Sequence, residues 1–124
     1  MSKQTITKTD LAQFTGTEAY HRLPYHPQGV VYTDGVKYLA ERAGAYWLLD
    51  LIASYQLDGR IKNDEALQCI QFWRLKVADA TGTLVCERDL NDTVLTHQLN
   101  YTDFPLAEIT LYVCNKVILL PSEY

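Results

Sequence analysis

Residues 32–55 read YTDGVKYLAERAGAYWLLDLIASY, and this stretch decides the fold. It is the longest helical pattern in the chain. Thr33 or Asp34 can cap a first helix with a side-chain oxygen. Val36, Leu39, Ala40 and Ala43 then recur at i, i+3, i+4 and i+7, which lines one helical face. Lys37, Glu41 and Arg42 fall on the outer side. Gly44 breaks the pattern, since glycine inside a helix costs about 1 kcal/mol relative to alanine. A second helix is expected from Ala45 to Gln56, with Leu48, Leu51, Ile52 and Tyr55 on one apolar face and Tyr46, Leu49 and Ala53 on another. From Ala43 to Leu57 the only charged residue is Asp50. A helix that is apolar nearly all round is buried, so the rest of the chain must cover it.

The C-terminal half has the pattern to do so. From Leu67 the hydrophobic period changes from 3.6 to 2, and strands are expected at 67–79, 83–90, 93–101, 108–114 and 117–120. Thr81-Gly82, Asn91-Asp92 and Asn115-Lys116 suit tight hairpin turns. A two-residue loop at Thr81-Gly82 sets Arg74 opposite Asp89 and Lys76 opposite Glu87, two opposite-charge pairs on a solvent face. Trp73, Leu75 and Val77 then point inward with Cys86, Arg88 and Leu90. A loop at Asn91-Asp92 adds Leu95, His97 and Leu99 to that inner face. The third hairpin sets Val113 opposite Ile118. A one-residue slip would turn every side chain over.

Ahead of the central helices, Thr9 or Asp10 can cap a short helix through Phe14. Tyr20–Gln28, read YHRLPYHPQ, holds Pro24 and Pro27 and is expected to be an extended loop. Val30–Tyr32 suits a short strand, and Lys62–Glu65 a polar connection. The expected architecture is one α+β domain over residues 1–124. A helical half, 1–66, packs on one face of a four- or five-stranded antiparallel meander built from 67–124.

The 124 residues are enough for a real core, and 48% hydrophobic with 21% charged residues is an ordinary globular balance. A net charge of −4 argues against a broad nucleic-acid or anionic-membrane surface. The apolar run at 43–57 is too short to span a membrane and carries Asp50. The polar start MSKQTITKTD has no signal-peptide core. Three cysteines, Cys69, Cys86 and Cys114, show no CxxC spacing and read as reduced thiols of a cytoplasmic protein.

Three places can carry a site. Cys86 and His97 fall opposite one another in the expected register, where a thiol beside an imidazole can become a nucleophile or a pair of metal ligands. No third ligand or orienting carboxylate accompanies them, so the bland reading is a buried thiol beside a hydrogen-bonded histidine. Asp50, a carboxylate in an apolar helix, needs a partner or solvent, and Arg88 is the expected partner. The third place is the proline loop with Tyr20, His21, Arg22 and Tyr25, rigid enough to lose little entropy on docking. His21 and His26 are not at a metal-binding spacing. Phosphate-loop, GxSxG, HExxH and zinc-finger patterns are all missing from the sequence, so neither cofactor nor metal is expected.

The stretch YTDGVKYLAERAGAYWLLDLIAS, the β-rich half and the ending LPSEY resemble a family of small uncharacterised bacterial proteins, found in cyanobacteria and on plasmids or phages. The resemblance runs from TDLAQFTGTEAY onward. It implies no activity, cofactor or catalytic residue. Its mobile-element setting implies an accessory or inhibitory role.

The sequence thus favours a non-enzymatic module that binds a protein partner, with a homodimer compatible. The alternatives are a small enzyme using Cys86 and His97 or Asp50, and a single-stranded nucleic-acid binder with an aromatic sheet face.

Overall fold

The computed structural model describes residues 6–24 and 29–124. The central helices form as their caps and stripes require. Thr33 is extended, and its hydroxyl accepts from the Val36 N–H at 3.3 Å, which opens helix α2, Asp34–Ala43. Val36, Leu39, Ala40 and Ala43 are buried on it. Gly44 adopts φ 62°, a left-handed turn that ends α2. Helix α3, Tyr46–Tyr55, follows at once, with Leu48, Leu49, Ile52 and Ala53 buried. Leu51, expected on the buried face, is only partly covered.

Helix α1, Lys8–Ala12, is capped by Thr7 in a reciprocal capping box with Asp10, two or three residues before the expected cap. The stretch expected to be a polar connection and the start of a strand is helical instead. Asp58 caps α4, Gly59–Lys62, and Asp64 caps α5, Glu65–Cys69. Four and five residues suffice for these turns because Ile61 and Leu67 are wholly buried beneath them.

The sheet is larger than the expected four- or five-stranded meander, and it is mixed. Its strands are β1 Tyr20–Arg22, β2 Val31–Thr33, β3 Gln71–Ala78, β4 Thr81–Asp89, β5 Asp92–Leu99, β6 Glu108–Cys114 and β7 Val117–Leu119. They lie in the order β1-β2-β7-β6-β3-β4-β5. The pairs β3–β4, β4–β5, β3–β6 and β6–β7 are antiparallel, as expected. The addition is the N-terminal hairpin β1–β2, whose β2 runs parallel to β7. Tyr20–Arg22, expected in a loop, is therefore an edge strand.

Two registers differ from expectation, and each by an even number. The first hairpin turns at Asp79-Ala80, both at positive φ (52° and 61°), and not at Thr81-Gly82. Arg74 consequently lies opposite Val85, and Trp73 opposite Cys86. The second hairpin sets Leu84 opposite His97 and Cys86 opposite Leu95, with irregular pairing around Glu87. Even shifts keep the side chains of the regular pairing on their faces, but past the irregularity at Glu87 the faces change, and Leu90, expected inward, is 80% exposed. Trp73, Leu75, Leu84, Cys86, Leu111 and Val113 are buried on the helix side, with the Tyr55 ring of α3 5.8 Å from that of Trp73. The third hairpin turns at Asn115-Lys116 and pairs Val113 with Ile118, as expected.

The opposite face is open. Phe72, Arg74, Val85, Thr110 and Tyr112 alternate with the buried set and stay half-exposed. Among the described residues no helix is long and apolar enough to cross a membrane.

Candidate functional site

The open sheet face carries a row of aromatic rings. Phe72 on β3 meets Tyr112 on β6 edge-on at 5.1 Å, because the two are direct partners in the ladder. Tyr112 in turn meets Tyr124 edge-on at 5.6 Å. Such crossed rings are held by the positive edge of one on the negative face of the next. Beside the row is a hollow of about 300 Å³ lined by Phe72, Arg74, Glu87, Leu90, Thr110 and Tyr112. Arg74 donates to Glu87 across the β3–β4 pair, and Glu87 is 8% exposed. Leu90, at the rim, is 80% exposed. The hollow thus brings together a cation held in place by a mostly buried carboxylate, two aromatic walls and an exposed leucine. A second hollow, about 320 Å³, lies where α1 meets β6 and the 3-10 turn Pro121–Glu123. It is lined by Leu11, Ile109, Leu120 and Pro121 among others, and among the described residues no aromatic ring lines it.

The sequence-derived candidates are distributed otherwise. Cys86 and His97 share the inner face but are not opposite one another. Burial pushes the Cys86 thiol up to about 12, with the Glu87 carboxylate adding to the effect. Such a thiol is protonated at neutral pH and is not a nucleophile. His97 Nδ1 is hydrogen-bonded to the Tyr55 hydroxyl at 2.6 Å, and the two rings meet edge-on. Asp50 is exposed on α3, and Arg88 is taken by other carboxylates. The Arg88 guanidinium binds Asp64 at 2.7 Å and Asp92 at 2.8 Å. The pairing irregularity at Glu87 brings Arg88 to them, away from the inward position expected for it.

Of the proline-loop residues, Tyr20 is 63% exposed and Arg22 is exposed on edge strand β1. Tyr25 lies outside the described residues, as does His26. His21 Nε2 lies 2.8 Å from Asp34 Oδ1, and the backbone N–H of Glu18 donates to Oδ2 of the same carboxylate at 3.0 Å. The His21 bond, then the Glu18 N–H, hold the Asp34 carboxyl below the usual carboxylate range. Among the described residues no three His, Cys, Asp or Glu side chains converge as a metal cage.

The aromatic row does not stand out in the sequence, because Arg74 and Lys76 mark the alternating strand's solvent face as polar. The signal was there: Phe72 has the same parity as those two residues, so an aromatic ring had to share their face.

Residues 5–124, nearly the whole chain, match one family. The chain belongs to DUF6876, a family of unknown function. No curated protein and no solved structure matches it. The matched span of the family includes both YTDG and LPSEY, two of the stretches that carry the resemblance. In the fold these two stretches touch. Glu123 accepts from the Thr33 hydroxyl at 2.6 Å, from the Gly35 N–H at 3.2 Å and from the Leu120 N–H at 3.0 Å. The contact fastens the C-terminal turn to the start of α2, which holds Tyr124 close to Tyr112 at the end of the aromatic row.

Proposed function

We propose that this protein is a non-enzymatic module that binds a protein partner through its open sheet face. The observation that carries this reading is the Phe72–Tyr112–Tyr124 row beside the Arg74–Glu87 pair. Rigid aromatic rings offer large contact area at low entropic cost, and arginine and tyrosine dominate interface energetics. Glu87 neutralises Arg74 in place, so a partner must bring its own apolar anchor and hydrogen-bonding groups, which a protein surface supplies. Asp89 at the same hollow and Glu108 on the same face disfavour a phosphate backbone. The protonated Cys86 thiol and the Tyr55-bound His97 add no chemistry to that face. An accessory or inhibitory role, acting by occupancy, is compatible with such a surface.

The test is site-specific photo-crosslinking in the cells that carry the protein. A photoreactive phenylalanine analogue replaces Phe72, Leu90 or, as a control, Tyr101, which is 72% exposed elsewhere. The reading expects one shared protein adduct from positions 72 and 90 and none of it from 101. Equal adducts at all three positions would overturn it. So would adducts to single-stranded RNA or DNA at 72 and 90, which would make the face a nucleic-acid platform.

A further inference from the structure

The hollow on the open face is unbalanced in charge. Three charged side chains line it, Arg74, Glu87 and Asp89. Arg74 and Glu87 are bonded to one another and cancel, which leaves Asp89. Arg88, the residue before it, is held by Asp64 and Asp92. Among the described residues no lysine, arginine or histidine forms an ion pair with Asp89, whose Oδ1 accepts the Leu90 N–H at 2.8 Å. Across the ladder Asp89 faces Asp92. Like charges directly opposite are unfavourable in a sheet, so this end of β4 carries a cost that no described cation offsets at Asp89.

We propose that the protein partner enters this hollow with a lysine or arginine side chain carried on a basic segment. The inference rests on the reading of the open face as a protein-binding surface. The hollow suits such a side chain along its whole length. The methylene stem lies against Phe72, Tyr112 and Leu90, as long cationic side chains cover apolar surface. The negative ring faces attract the charged end, and Asp89 supplies the carboxylate. An acidic side chain meets the opposite balance, because Arg74 is already shared with Glu87 and Asp89 repels it. A purely apolar anchor would cover Asp89 without a counter-charge, which costs more than leaving it in water. The net charge of −4 draws a basic partner from a distance in the same sense.

The test uses the partner segment that cross-links to position 72, made as a labelled synthetic peptide and titrated with the purified protein by fluorescence anisotropy. The segment should contain a lysine or arginine, and replacing that residue by glutamine should weaken binding at least about tenfold. Asp89→Lys should also weaken binding at least about tenfold, because like charges then meet in the hollow. That variant sets a cation opposite Asp92, so its melting temperature should hold or rise. The glutamine peptide keeps the test independent of the variant's stability. Glu18→Lys, at an exposed position ahead of β1, makes the same change in net charge and should leave the affinity within about twofold. Binding that survives Asp89→Lys, or a cross-linked segment without lysine or arginine, overturns the inference and leaves the protein-binding reading standing. Equal losses from Asp89→Lys and Glu18→Lys overturn it as well, since overall charge would then account for both. The lack of any shared protein adduct at positions 72 and 90 overturns the inference together with the reading it rests on.

Discussion

Glu123 holds Thr33 from 90 residues away, and the bond closes the fold at the start of its main helix. The Thr33 hydroxyl donates to Glu123 and accepts from the Val36 N–H, so one buried side chain both caps α2 and receives the C-terminal turn. The negative carboxylate also lies at the positive end of α2. Hydrogen bonds to a charged group contribute about 1.5–3 kcal/mol. Glu123→Ala should therefore lower stability by about that amount in urea unfolding. A loss below about 0.5 kcal/mol would show that the C-terminal turn is not coupled to the helix.

The same junction should reverse an ordinary rule. Gly35 is the second residue of α2, and alanine is the better helix former by about 1 kcal/mol. A Cβ at Gly35, however, would come within 2.7 Å of Leu120 Cδ1 and 2.8 Å of the Glu123 carboxylate. Leu120 is buried and Glu123 is tied by three hydrogen bonds, so neither yields cheaply. Overpacking of this kind costs about 1–3 kcal/mol. Gly35→Ala should be net destabilising, and a gain in melting temperature would disprove the close packing.

Acid should weaken the fold through three aspartates. His21 holds Asp34 low, Arg60 holds Asp58 down to about 2, and Arg88 holds Asp64 low. A carboxyl depressed in the folded state contributes stability above its unfolded value, about 4. That contribution is lost as pH falls through the folded value. The melting temperature should thus decline between about pH 4 and about pH 2. Asp34→Asn and Asp64→Asn should each flatten the decline. An unchanged slope in both variants would mean that these pairs are screened to nothing.

What was legible in the sequence was local. Thr33, the Val36–Ala43 stripe and Gly44 specify α2 within the span 33–44, and the structure places each as expected. Asn115-Lys116 likewise fixed the third hairpin. The first hairpin misled because Gly82 looks like a turn residue. In the fold it sits in β4, where a Cβ would crowd Leu99 and Thr102 at 3.2–3.3 Å, so it is glycine for packing. The turn falls instead on Asp79-Ala80, and a separate two-position slip between β4 and β5 dissolves the Cys86–His97 pair. The β2–β7 pairing was illegible because it joins strands about 86 positions apart through three-residue segments, too short to show periodicity. The aromatic row depends on the same long-range assembly.

Cysteine reactivity should separate along the fold. Cys69 is exposed, whereas Cys86 is buried with its thiol pushed up to about 12. The thiolate is the reacting species, so a rise of that size slows alkylation about a thousandfold relative to a free thiol. Iodoacetamide at neutral pH should modify Cys69 first, and Cys86 only after unfolding. Peptide mapping that finds Cys86 modified as fast as Cys69 in the native protein would restore the catalytic-thiol reading.

The buried amides of Gln56 and Gln71 give the last prediction. Each donates to the other's carbonyl oxygen, at 2.9 Å and 2.7 Å, and Trp73 Nε1 donates to Gln71 Oε1 at 2.8 Å. The Gln71 amide also donates to the Leu67 carbonyl and the Gln56 amide to the Ile52 carbonyl. The network joins the end of α3, the end of α5 and the start of β3 with its donors satisfied. Removing one member strands the others without water, at about 1–3 kcal/mol for each orphaned group. Gln71→Leu orphans both a Gln56 donor and the Trp73 N–H, so it should be the more damaging single change. Gln56→Leu orphans one Gln71 donor. In the double variant neither amide is left facing a missing partner, and only the Trp73 N–H stays unpaired. The double variant should therefore be more stable than the sum of the two singles predicts, by at least about 1 kcal/mol in a double-mutant cycle. Additivity within about 0.5 kcal/mol would mean that the two amides act independently, and the link between α3 and β3 would then rest on apolar packing such as that of Tyr55 on Trp73.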